Sequence, residues 1–144
     1  MAANREASGL AALRVLLGVF FICEGLLKYA WLFKSEWLTA RLVAWQAGAH
    51  EWSAWYLQHV AMPYAPVFAR LVFIGELACG LALLLGVWTR AAAVIALVMV
   101  LNFHIASSAI FRPAFLTDGY GLPVIGGLLA LAIGAGRLPW SLKS

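Results

Sequence analysis

The chain has 144 residues, of which 65% are hydrophobic and only 11% charged, whereas an ordinary soluble domain carries about 25% charged residues. A mean hydropathy of +0.92 excludes a water-soluble globular domain and marks an integral membrane protein whose first partner is the lipid bilayer. The net charge of +4 comes from basic residues scattered singly around apolar runs, so it excludes a nucleic-acid-binding patch.

A helix needs about 20 predominantly apolar residues to cross roughly 30 Å of hydrocarbon. Four stretches qualify, at about residues 10–31, 65–85, 91–111 and 121–135, the last short or tilted. With their loops they use the whole of 1–144. The expectation is therefore one transmembrane domain of the all-α class, an integral membrane four-helix bundle. The first run exceeds a secretory core in length and contains Glu24, so it is expected to stay as an uncleaved span. Cys23 and Cys79 fall inside spans at different depths and read as buried free thiols. Glycines at positions 18, 25, 75, 80, 126, 127 and 134 mark places where helices approach closely.

Four spans put both termini on the same side as the short connection GVWTR. That side carries Arg5, Arg14, Arg90, Arg137 and Lys143, and the other carries Lys34, Arg41 and Arg112. The excess of positive charge points to cytoplasmic termini in a multi-pass protein of the cell (inner) membrane.

The connection from Leu32 to Tyr64 holds Trp37, Trp45, Trp52 and Trp55, a residue type that favours the headgroup level. Within EWLTARLVAWQAGAH, Leu38, Leu42 and Trp45 recur at helical spacing opposite Thr39 and Arg41. This predicts an amphipathic helix lying on the interface, with HEWSAWYLQHV continuing as a second short helix and MPYAP leading into the next span. An interfacial anchor and a lid over a cavity are both compatible with that pattern.

Ionisable residues inside a span are costly and need a partner or a task. At about 1.5 Å of rise per residue, Glu24 and Lys28 in the first span, Arg70 and Glu76 in the second, and Asn102 and His104 in the third converge on the half of the bilayer capped by the tryptophan-rich connection. Glu24 and Lys28 are spaced to pair across one helical turn. Two readings follow. The cluster is either an ion-pair network that fixes helix packing, or a polar pocket in which Glu76, His104 and Glu24 exchange protons while Lys28, Arg70 and Asn102 hold a quinone headgroup or small oxyanion. No spacing matches a haem, flavin or metal site, since His50 and His59 stand nine apart in a loop, His104 is solitary, and there is neither a CxxC nor a dinucleotide fingerprint.

LRVLLGVFFICEGLLKYAW, FARLVFIGELACGLALLLGVWTRAAAVIALVMVLNFHIASS and the terminal GAGRLPWSL together resemble the DoxX/DoxD family of membrane proteins. Its first helix follows LRxxLGxxFxxxGxxK, and its second carries a central GE followed by GLxLLLG and a TR turn. The resemblance implies a compact four-helix bundle with Lys28 and Glu76 as family positions. For the DoxD branch it implies the membrane subunit of a thiosulfate:quinone oxidoreductase, with quinone as the redox partner and a further, smaller subunit; a partner subunit or a homo-oligomer is expected for the chain. Other members of the broad superfamily imply a second function class, a non-catalytic accessory subunit or assembly factor.

Overall fold

A computed structural model describes residues 2–136 and 138–142, and among these every regular element is helical. Helix α1 runs Ala2–Leu27, followed by a 3-10 turn at Tyr29–Leu32. Helix α2 covers Glu36–Gln46 and α3 covers Glu51–Tyr56, the latter unwinding into a π-turn at Leu57–Ala61. Next come α4 at Ala65–Leu85, α5 at Thr89–Ala106, two 3-10 turns at Ala109–Phe111 and Pro113–Thr117, and α6 at Leu122–Gly134. Among the described residues three helices are long and apolar enough to cross a membrane: Arg5–Leu27, Ala65–Leu85 and Thr89–Ala106. The run expected as a fourth span folds as a helix of 13 residues, about 20 Å long by helical rise. Leu16, Leu26, Leu71, Val98 and Ile133 are exposed, as befits side chains that meet lipid and not water.

Helix α1 packs most extensively on α4, α4 on α5, α5 on α6, and α6 returns to α1. Small residues decide how close the first pair comes. A Cβ added to Gly18 would lie 2.7 Å from Leu84 N and 3.0 Å from Gly80 O, and one on Gly80 would lie 2.8 Å from Ile22 N. The two backbones are thus in direct contact, which only glycine on both sides permits. Not every glycine serves this purpose, because a Cβ on Gly126 would meet nothing within 4 Å.

Helix α4 ends at Gly86, whose φ of 74° is left-handed, and Val87 N closes the turn by donating to Ala82 O at 3.0 Å. Arg14, expected among the charges flanking the spans, is instead fully buried against this turn. Its Nη2 donates to Trp140 O at 3.0 Å, while Leu142 N donates to Leu85 O at 2.9 Å. These bonds draw the C-terminal segment onto the α4 end. Arg137 and Lys143, counted on the same side from sequence, lie outside the described residues. Cys79 is buried as expected, but Cys23 is exposed because its position on α1 faces away from α4.

Two apolar clusters form the interior. One gathers Phe21, Cys79, Leu83, Ala93, Leu128 and Leu131, and the other Trp31, Leu38, Leu42, Leu57, Val72 and Ala106. Along α1 and α4 the charged residues Glu24, Lys28 and Glu76 fall between them. Leu38 and Leu42 are the buried face of α2, and Trp45 meets Phe103 edge-on at 6.0 Å. The apolar stripe predicted for this segment therefore faces protein.

Candidate functional site

Lys28 sits where α1 gives way to the 3-10 turn, one turn beyond Glu24 and across the glycine-lined seam from Glu76. Its Nζ donates to Glu24 Oε2 at 2.8 Å, to Glu76 Oε1 and Oε2 at 3.0 and 2.9 Å, and to the Glu24 carbonyl at 3.1 Å. Three N–H groups are shared among four acceptors, so the ammonium is saturated by protein. The Glu76 side chain is 8% exposed and that of Lys28 11%, whereas that of Glu24 keeps 23%. Glu24 Oε1 has no protein partner among the described residues, so one carboxylate oxygen remains free at the edge of the cluster.

Glu24 borders a cavity of about 320 Å³ lined by charged, polar and aromatic side chains from α1, α2, α4, α5 and the start of α6. Phe20, Phe21 and Phe103 supply flat apolar walls, and Glu24, Lys28, Glu76 and His104 supply the polar side. The His104 ring is buried, meets Phe115 edge-on at 5.1 Å, and places Nδ1 2.7 Å from Val100 O. A carbonyl accepts only from N–H, so the Nδ1 proton is assigned by this bond, and the neutral ring keeps its lone pair on Nε2. Nε2 has no protein partner among the described residues. A cavity with apolar faces and a few convergent polar groups is the usual form of a small-molecule site.

Four of the six residues picked from sequence thus come together: Glu24, Lys28, Glu76 and His104. Asn102 does not reach this cavity. It accepts a hydrogen bond from the Tyr56 hydroxyl and lines a smaller, apolar space beneath α2. Arg70 is exposed and donates to Pro66 O on its own helix at 2.7 Å, because six residues of helix rotate it off the face that carries Glu76.

The Tyr56–Asn102 bond belongs to a set that fastens the connection to α5, together with Ser53 donating to Ile105 O and His50 N donating to Ser108 Oγ at 2.9 Å. Burial pushes the Tyr56 hydroxyl above its usual range and the bond to Asn102 pulls the other way, so the phenol is a protonated donor at neutral pH. Tyr56→Phe is expected to cost about 1–2 kcal/mol, because Asn102 keeps a half-buried acceptor without its donor. The shift in the unfolding midpoint in mixed detergent–SDS micelles measures it.

Residues 9–108 match the family model DoxX. The chain belongs to the DoxX family. No match was found among curated proteins or solved structures. Membership together with three long apolar helices makes this a multi-pass membrane protein. The matched region of this DoxX chain contains Glu24, Lys28, Glu76 and His104. Two further polar residues line the cavity. Arg41 is expected from sequence on the polar face of an interfacial helix, and Tyr120 lies beyond the DoxX match. Arg41 flanks the buried Leu38–Leu42 face of α2, and the sequence could not show that this flank looks into a cavity formed by other helices.

Proposed function

We propose that this DoxX protein is the membrane subunit of a quinone-linked oxidoreductase of the thiosulfate:quinone type. In this reading it is a four-helix bundle in the cell inner membrane, with cytoplasmic termini and α2 and α3 on the outer interface. The observation that carries it is one cavity lined by His104, Glu24 and three phenylalanine rings, where His104 Nε2 and Glu24 Oε1 have no protein partner among the described residues.

Reduction of a quinone adds two electrons and two protons to its two carbonyls and yields two hydroxyls. A ring between the phenylalanine walls would place one carbonyl oxygen toward His104 Nε2, which donates when the imidazole is protonated. Glu24, the more exposed carboxylate, passes protons at the cavity edge, while Lys28 and Glu76 fix its position. Electrons from thiosulfate come through a partner subunit.

The test is binding of a quinone analogue to purified protein in lipid bilayers, followed by quenching of tryptophan fluorescence. His104→Leu is expected to weaken binding about tenfold, the loss of one hydrogen bond to a buried polar group. Unchanged affinity in a correctly folded variant contradicts the proposal.

One observation favours a second reading, that of an accessory subunit or assembly factor. Every Lys28 N–H is consumed inside the protein, which is also what a pure helix clamp requires. Wild-type protein that binds no quinone analogue but co-purifies with a fixed partner decides for that reading.

A further inference from the structure

Arg41 is the one Lys or Arg side chain lining the cavity that has no ion-pair partner among the described residues. It projects from α2, which is held down by buried Leu38 and Leu42, and its guanidinium lies 5.7 Å from the centre of the Trp31 ring. Trp31 is itself buried, so the stacking surface is fixed and sets where the guanidinium sits. No carboxylate lies within ion-pair distance of Arg41, and none of its donors has a protein acceptor among the described residues. Lys28, by contrast, has none of its N–H groups left for a ligand.

The polar groups of the cavity therefore fall into two kinds. Glu24 Oε1 is available as an acceptor, and His104 Nε2 as an acceptor when the ring is neutral or a donor when it is protonated, while Arg41 offers a planar fork of donors with a permanent positive charge. A ligand that satisfies both has a hydroxyl or protonatable oxygen on one side and an oxygen that carries negative charge on the other.

We infer that Arg41 is a ligand-binding residue that selects quinonoid rings with an ionised oxygen, such as a hydroxyquinone or a deprotonated quinol, over neutral quinones. This rests on the proposed quinone reading of the cavity, and it adds the charge state of the preferred ligand and the residue that recognises it. Arg41 is exposed on α2, so its replacement leaves the helix packing in place.

The experiment measures two dissociation constants for each protein in phosphatidylcholine bilayers, where no anionic headgroup competes for the guanidinium. The probes are 2-hydroxy-1,4-naphthoquinone, an anion at neutral pH, and 2-methyl-1,4-naphthoquinone, its neutral counterpart. The wild type is expected to favour the anion, and Arg41→Ala to reduce that preference about tenfold, the size of one charge-assisted hydrogen bond. Arg41→Lys is expected to retain part of it, since the charge remains and the fork is lost. If the wild type binds both probes and Arg41→Ala leaves their ratio unchanged, the role given to Arg41 is wrong and the quinone reading stands. If the wild type binds neither, the quinone reading fails and the inference with it. If the preference is present but disappears when phosphatidylglycerol replaces part of the phosphatidylcholine, the acceptor is a lipid phosphate and the quinonoid assignment is overturned.

Discussion

Lys28→Met is expected to destabilise the protein by about 3–5 kcal/mol, the cost of removing one partner from a buried charged set. The lysine is the only group within ion-pair distance of Glu24 and Glu76, at 2.8 and 2.9 Å among the described residues. Without it two carboxylates face each other across the α1–α4 seam, in surroundings that the bilayer keeps dry. Methionine preserves the length and apolar stem of the side chain, so the loss reports the charge and its hydrogen bonds and not a cavity. Adding Glu24→Gln and Glu76→Gln to Lys28→Met is expected to recover most of the stability, because the amides need no counter-ion. Unfolding in mixed detergent–SDS micelles, followed by circular dichroism, gives both numbers. A single variant as stable as the wild type would mean that the lysine does not hold the two helices together.

Gly18→Val is expected to cost about 3 kcal/mol, at the upper end of the range for overpacking. The atoms that a Cβ would strike are Leu84 N at 2.7 Å, Gly80 O and Leu84 Cα. All three are backbone and cannot swing aside as a side-chain tip can, so α1 and α4 must part. The same seam carries Lys28, nearly three turns beyond Gly18 on the α1 side, and Glu76 on α4, so the wedge is also expected to weaken binding of a quinone analogue. Gly9→Val supplies the control, since a Cβ there meets nothing within 4 Å. Equal stability of the two variants would show that the glycine contact does not set the helix spacing.

Much of this architecture was legible in the chain because lipid imposes a simple rule: long apolar runs must be helices. The bounds of α4 agree with the expected 65–85 to the residue, since Pro63 precedes it, Pro66 sits in its first turn and Gly86 ends it. The 3-10 turn after Leu27 was not legible, because its residues Tyr29–Leu32 are as apolar as the helix before them. Depth along a helix follows from counting, which is why Glu24, Lys28, Glu76 and His104, which line one cavity, could be grouped from sequence. Direction around a helix depends on which neighbour lies where, and it separated Arg70 and Asn102 from the group. It also turned Arg41 into the cavity and sealed Arg14 inside, neither of which depth alone could reveal.

The most direct measurement is a structure of the protein in lipid determined with a saturating quinone analogue. The proposed function predicts ring density between Phe20 and Phe103, with an oxygen within hydrogen-bond distance of His104 Nε2. An empty cavity, or one filled only by an acyl chain while the analogue binds elsewhere, would contradict it.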